Sequence, residues 1–341
     1  METSTPGKDE VILFFPSIGR RSSDHSEWVI TLHGWIFEPE LDSRLRSGLL
    51  RVLRRALGLS GSGAERATFR ERASAFLVDN QGGKAIFVRI GAKVYPVGES
   101  SPNGHFGGTL RLPDPEVKAL LRAPGRSGRV RFEAALGMND KRSFPGDVYL
   151  LEDTGLSVIS DIDDTIKVSE VKDRKALLSN TFLREFRAVP GMAELYARWA
   201  KESAAFHYVT ASPWQLYEPL KDFIEKRGFP EGTLDMKRFR WKDSTFFDLF
   251  ASPEIEKPKI LVPLLESFPR RRFILVGDSG EKDPEIYGAL FRKFPDRIAR
   301  IFIRDVTGEG ASSNRLKKAF AGLPAERWQV FVDSKEVMEV T

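Results

Sequence analysis

The chain has 341 residues, 41% hydrophobic and 30% charged, with no stretch near the roughly 18 apolar residues of a membrane span, so two soluble domains are expected and an integral membrane protein is not. Absence of cysteine removes disulfides and thiolate metal sites, and the four histidines, His25, His33, His105 and His207, show no ligand-like spacing, which argues against zinc chemistry. The +5 formal charge lies wholly in residues 1–150, with 22 Lys+Arg against 17 Asp+Glu and 31 against 31 in the remainder; this is compatible with an anionic partner surface, and no nucleic-acid ligand is expected. The segment Met1 to Glu10 lacks the basic start and apolar run of a signal peptide, which favours a cytoplasmic location.

In chain order, residues 10–150 carry short β-favouring runs between turn residues: Val11–Phe15, Trp28–Phe37, Arg72–Asp79, Lys84–Val97, Gly107–Leu112 and Gly128–Leu136. They predict a mostly β N-terminal domain over 1–148. One helical insert, 41–59, places Leu45, Leu49, Val52, Leu53 and Leu57 on one face and Arg44, Arg51 and Arg55 on another, and leads into the Gly/Ser-rich loop 58–63. The turn 139–146 is a plausible domain boundary. Beyond it the pattern becomes apolar runs alternating with helical periodicity, predicting an α/β domain over 149–341 with a Rossmann-like parallel sheet. Its strands are placed at Leu156–Ser160, Phe206–Thr210, Phe273–Gly277 and Ile298–Ile303, with intervening helices such as Gly191–Glu202 and Trp214–Lys226.

In an open parallel α/β sheet the ligand site lies beyond the carboxyl ends of the strands, where the polar residues of this half collect. The first strand delivers Asp161, Asp163 and Thr165, and extended alternation would send both aspartates into one small space. Keeping two crowded carboxylates ionised calls for a cation, and hard oxygen ligands point to magnesium. The third strand adds Asp278, Glu281 and Asp283. The second ends in Thr210-Ala211-Ser212-Pro213, supplying a hydroxyl and backbone N–H groups for phosphate oxygens, although Ser212 serves equally as a cap for the helix that follows. Lys257, before Pro258 at a first helical position, would set an ammonium at a helix N-terminus. Arg304 and Asp305, at the fourth strand's end, are read as phosphate ligands or a structural ion pair.

The ordered set D-x-D-x-T, a strand ending in Thr, a Lys, and G-D-x-x-x-x-D resembles the haloacid dehalogenase superfamily of aspartate-nucleophile phosphatases. The strings Asp161 to Ile166, Tyr208 to Tyr217 and Gly277 to Tyr287 are similar to the phosphatidate phosphatase family of the yeast actin patch protein. Likeness is strong over 150–310 and weaker in Gly34 to Pro39 and Phe76 to Asn80. Relatives often show His-Lys where this chain has Glu256-Lys257, so Lys259 rivals Lys257 as the phosphate lysine.

This resemblance implies that Asp161 is the nucleophile and that Asp163 protonates the leaving oxygen and then activates water against an aspartyl phosphate. It further implies that Asp161, the Asp163 carbonyl and Asp278 ligate magnesium, Asp283 orients metal-bound water, and Thr210, Ala211, Ser212 and Lys257 receive the phosphate. Little room remains for a cap domain between Asp161, Thr210 and Lys257, so an open site is expected, as in superfamily members that act on bulky substrates. The basic and aromatic segment from Lys237 to Phe250 and the Arg-rich helix are candidates for peripheral contact at a membrane surface, beside the plainer reading of core packing. The implied activity is phosphatidate hydrolysis to diacylglycerol and phosphate. Alternatives are phosphatase action on a soluble phosphoester or phosphoprotein, and a phosphatidate-binding module without turnover.

Overall fold

The computed structural model describes residues 2–39, 62–122, 128–237 and 253–337, together with 48, 50, 51, 54, 55 and 58. Most of the expected helix 41–59 and all of the segment 238–250 lie outside them. Two compact units are present, the first formed by Met1–Ser43 and Leu77–Asp153, the second by Arg44–Phe76 and Thr154–Thr341. Among the described residues no helix is long and apolar enough to cross a membrane.

The first unit opens with β1 (Val11–Phe14), β2 (Ser17–Arg21) and the long β3 (Glu27–Glu38). From β3 the chain passes to helix α1 (Gly63–Ser74) of the second unit, then returns through β4 (Asp79–Asn80), β5 (Ala85–Ile90), β6 (Lys93–Glu99) and β7 (His105–Pro113). Helix α2 (Asp114–Leu121), β8 (Arg129–Ala134) and β9 (Pro145–Leu151) complete it. The sheet runs β1-β3-β2-β9-β8-β5-β6, with β4 and β7 also paired to β3. Strict alternation aims Ile86, Val88 and Ile90 from β5 into a core shared with Ile30, Leu32 and Phe132. The mostly β reading therefore holds, with two differences. The turn 139–146 joins β8 to β9, which pair antiparallel inside this sheet. The run Arg72–Asp79 is the end of α1 followed by a turn, because Ser62 and Glu65 form a capping box that starts a helix where β-favouring residues alone suggested a strand.

Helix α1 is rooted in its own unit by Arg72. Its guanidinium donates to the carbonyls of Thr181 at 2.6 Å and Arg184 at 2.9 Å and lies 3.8 Å from the Phe186 ring centroid, while Phe69 and Phe76 pack on Phe182.

The second unit continues with β10 (Leu156–Ser160), α3 (Arg174–Phe182), α4 (Met192–Lys201), β11 (Ala205–Pro213), α5 (Tyr217–Lys226) and β12 (Gly232–Lys237). Next come α6 (Pro253–Ser267), β13 (Arg272–Asp278), α7 (Asp283–Lys293), β14 (Ile298–Arg304), α8 (Asn314–Ala319) and β15 (Trp328–Phe331). All pairings are parallel, in the order β12-β11-β10-β13-β14-β15. The first strand is thus central, the chain winds outward to β12, and it returns past β10 to β13. That reversal opens a crevice at the carboxyl ends of β10 and β13, where sheets of this kind bind ligands.

At mid-sheet, His207 on β11 is buried. Arg271 Nε donates to Ser157 Oγ at 2.9 Å, so Ser157 turns its own proton to His207 Nε2 at 3.2 Å and leaves Nδ1–H to reach Thr233 Oγ1 at 2.9 Å. Burial, with the charge of Arg271 added, pushes the imidazole from 6.5 down to about 3. The unfolded chain takes a proton here as pH falls through 6.5 while the folded chain does not until about 3, so this contribution is full above 6.5 and is lost on acidification. Urea titrations should show wild type losing stability more steeply than His207→Gln across that window, by up to about 1.4 kcal/mol per pH unit. Parallel slopes would refute it.

Candidate active site

Strand β10 ends at Ser160. Asp161 N–H donates to the Val276 carbonyl of β13 at 2.9 Å, and the chain then turns, with Asp164 at φ 57°, a left-handed conformation that Asp tolerates better than most residues. Asp161 and Asp163, which strand alternation had sent into one space, take separate partners. Each faces its own buried lysine.

Asp161 is buried, with Oδ1 at 2.8 Å from Lys257 Nζ and Oδ2 accepting from Thr165 Oγ1 at 3.0 Å. Lys257 also lies 2.9 Å from Glu281 Oε2 and 2.5 Å from Asp283 Oδ1. Burial disfavours its charge, but Asp161, Asp283 and Glu281 outweigh burial and hold the ammonium well above its ordinary pKa. Lys257 does not stand at a helix start. Helix α6 begins at Pro253, so Lys257 falls in its second turn and Pro258 is an interior proline that forfeits one helix hydrogen bond. Lys259 is exposed, and the lysine beside Asp161 is Lys257.

Asp163 is clamped from both sides. Its Oδ1 pairs with Lys167 Nζ at 2.7 Å and accepts from Ser169 Oγ at 2.7 Å, while Oδ2 accepts from Thr210 Oγ1 at 2.9 Å and Ser212 Oγ at 3.1 Å. Burial alone would raise its pKa; the Lys167 charge and these donors win and carry it down to about 2. Ser212 thus serves Asp163 rather than the short helix Trp214–Leu216, whose N-cap is Pro213. The backbone N–H of Ser212 returns to Thr210 Oγ1 at 3.0 Å, folding Thr210-Ala211-Ser212 around the carboxylate, with Ala211 buried between them. Asp164 organises the next loop, accepting the N–H groups of Ser169, Glu170 and Val171 at 2.7–2.8 Å.

From β13, Asp278 Oδ1 accepts Gly280 N–H at 2.5 Å, and Asp283 Oδ2 accepts Asp278 N–H at 3.2 Å. Glycine at 277 is obligatory for this closeness: a Cβ there would stand 2.3 Å from Asp283 Oδ2. Carboxylate oxygens of Asp161, Asp278 and Asp283 lie within 4.8 Å of one another. Asp278 Oδ2 is buried without a hydrogen-bond partner, and burial, with Asp283 and Glu281 adding to it, raises the Asp278 pKa well above the carboxylate range. Three hard anionic donors with an unmet oxygen fit a small divalent cation. The Asp163 carboxylate lies outside this group.

Sequence reasoning passed over Lys167 and Ser169 and left Glu281 without a role, although Lys167 stands four residues after Asp163. Arg304 and Asp305 make no ion pair with each other among the described residues, and Arg304 Nε is buried without a hydrogen-bond partner. Arg304 Nη1 donates to the Asp164 carbonyl at 2.7 Å, bracing the turn, and Asp305 accepts from Ser279, Thr307, Gly308 and Gly310.

Residues 156–305 match the family described as phosphatidate phosphatase APP1, catalytic domain. Phosphatidate phosphatase APP1 of Saccharomyces cerevisiae is 35% identical over 154 residues, 44% of this chain and 26% of that protein. An uncharacterized protein of Schizosaccharomyces pombe is 29% identical over 172 residues, 49% of this chain and 28% of the relative. The aligned part thus spans about a quarter of the length of these curated relatives. Among solved structures, a Parabacteroides merdae β-glucuronidase matches with a TM-score of 0.26 at 10% identity, covering 86% of this chain and 34% of that one, too low to bear on the fold.

Proposed function

We propose, from the match of residues 156–305 to the family described as phosphatidate phosphatase APP1, catalytic domain, that this chain hydrolyses phosphatidate to diacylglycerol and phosphate with magnesium, through a phosphorylated Asp161 in a haloacid dehalogenase-like domain. The observation that carries the reading is the buried Asp161 at the sheet's reversal point, flanked by Lys257 and by the carboxylates of Asp278 and Asp283.

An Asp161 oxygen attacks phosphorus and the bond to the glycerol oxygen breaks, Asp163 giving that oxygen its proton. In the second half Asp163 takes a proton from water, which attacks the phosphorus of the acyl phosphate and releases inorganic phosphate with Asp161 restored. At rest Asp163 is ionised by its four partners. It can acquire its proton when an anionic ester enters beside it and Thr210 and Ser212 turn their hydroxyls to phosphate oxygens. Lys257 and the N–H groups around Ala211 and Ser212 offset charge on those oxygens. Magnesium held by Asp161, Asp278 and Asp283, with the Asp163 carbonyl, would supply charge neutralisation between an anionic nucleophile and an anionic ester.

Peripheral contact with an anionic bilayer is part of the same proposal. It is supported by a cavity of about 260 Å³ whose buried Leu50 and Phe69 are bordered by Arg51, Arg54, Arg66 and Arg70. Residues 44–76 hold eight arginines against two glutamates, a surplus of six in a chain whose total is +5, so the remaining residues sum to −1. Cytoplasmic residence accords with this scheme.

The test is phosphate release by the purified chain from phosphatidate in detergent micelles, against soluble phosphomonoesters and a phosphopeptide, with magnesium and with EDTA. Magnesium-dependent turnover of phosphatidate above the soluble esters is expected. Preference for a soluble ester would keep the chemistry and discard the lipid. Binding of phosphatidate without release would leave a non-catalytic module, the reading that the retained Asp163 argues against.

A further inference from the structure

The opposite edge of the parallel sheet carries a second charged cavity, of about 520 Å³, at the amino ends of β10, β13 and β14. Its wall includes Leu156, Arg270, Arg272, Arg300 and Arg327, with Glu326 the sole acidic side chain. Arg272 and Asp278 are the first and last residues of β13, so roughly 20 Å of strand separates this cavity from the carboxylate cluster.

Several arginines elsewhere in the fold are neutralised by acids. Arg21 pairs with Asp114 and Glu152, Arg142 with Asp140, and Arg315 with Glu285 and Glu309. Arg272, Arg300 and Arg327 make no ion pair among the described residues, and Arg300 Nη1 is buried with no hydrogen-bond partner. An unmet buried donor is costly, and the missing partner is an acceptor. The carbonyls that would repel an anion are already covered: Arg271 Nη2 donates to Leu156 O at 2.7 Å, and Arg327 Nη1 donates to Ile298 O and Ala299 O at 3.2 Å. Arg271, bonded to Ser157 Oγ and to backbone carbonyls, and Arg297, bonded to backbone, act as scaffold, Arg297 Nε donating to the Arg271 carbonyl at 2.9 Å. Arg272, Arg300 and Arg327 line the cavity without an acidic partner among the described residues, and guanidinium groups bind phosphate oxygens in pairs. Its volume suits a small organic ligand rather than a single ion.

We infer that this cavity binds a ligand carrying two or more phosphate groups, whether a soluble organophosphate or a phosphorylated lipid headgroup. The inference is independent of the reaction proposed at Asp161. Calorimetric titration of the full chain in EDTA with inorganic tripolyphosphate should give one saturable site whose affinity falls steeply with salt. Arg272→Gln/Arg300→Gln should weaken it about tenfold or more, with Asp161→Asn leaving it unchanged. Should loss of Arg300 impair folding, Arg272→Gln alone, at an exposed position, gives the same readout. Co-sedimentation with vesicles containing a phosphorylated inositol lipid, against phosphatidylcholine alone, separates the sources: arginine-dependent capture assigns the headgroup, and tripolyphosphate binding without capture assigns a soluble ligand. Affinity unchanged in both arginine variants, or abolished by Asp161→Asn, overturns the inference.

Discussion

Asp161→Asn is expected to lower phosphate release by about a thousandfold or more while leaving the fold as stable as wild type or more so. The first half follows from the proposed chemistry: an amide oxygen would not form the acyl phosphate, and loss of the proposed nucleophile would remove the covalent route entirely. The second half follows from the setting. Burial raises Asp161's pKa well above the carboxylate range; Lys257 opposes this, and Asp283, Glu281 and Asp278 reinforce it. The folded site therefore bears an anion it would hold more comfortably neutral. Asparagine keeps the shape and can still accept from Thr165, whose hydroxyl reaches Asp161 Oδ2 at 3.0 Å. Single-turnover phosphate release and a thermal melt on one preparation decide the matter. Turnover within tenfold of wild type would exclude Asp161 as nucleophile, and a melting midpoint several degrees lower would show that its charge is structurally required.

Lys257→Met should be the most damaging single change in the site. Its ammonium faces Asp161, Glu281 and Asp283 within 2.9 Å, and Lys257, Asp161 and Asp283 are buried while Glu281 is partly so. Removing one partner from a buried ionic group costs about 3–5 kcal/mol, because the remaining charges keep their desolvation penalty and lose their compensation. For a unit of this size that corresponds to a fall of roughly 10 °C in the melting midpoint. Added magnesium should recover part of the loss in the variant and less in wild type, since a divalent cation among the same carboxylates replaces the missing positive charge. Melts in EDTA and in millimolar magnesium test both statements. A variant as stable as wild type in EDTA would mean that the carboxylates are protonated and uncrowded at rest.

The second unit was legible because a buried parallel strand must be apolar on both faces. Leu156–Ser160 was read with the bounds observed, and Phe206–Thr210, Phe273–Gly277 and Ile298–Ile303 lie inside β11, β13 and β14. Edge strands leave a weaker trace: Gly232–Lys237 carries Asp235 in its middle, and Trp328–Phe331 is only four residues long. The acidic residues of the site could be read because function constrains their spacing. Their counterions were less accessible. Lys167 lies next to Asp163 through a turn, and nothing in strand alternation foretells that the backbone bends at Ser160. Lys257 was found by its place among the motifs, yet its position inside α6 depends on a helix start that the Pro258 signal placed too late. Capping chemistry at Ser62 and Glu65 was visible in the letters and outweighed by the β-favouring residues that follow.

The path of the chain through residues 44–76 sets the order in which the protein can be completed. Those residues are made before the second half of the first unit, yet they belong to the second, where Arg72 grips the carbonyl of Thr181, 109 residues downstream. At the pace of translation that interval is roughly 5–20 s, during which Phe69 and Phe76 lack the Phe182 ring they pack on in the folded unit. A fragment beginning near residue 149 would lack α1 and bare Phe182 and Phe186. The second unit is therefore not a detachable module: part of it is synthesised early, within the span of the first unit's chain, and kept waiting until α3 emerges.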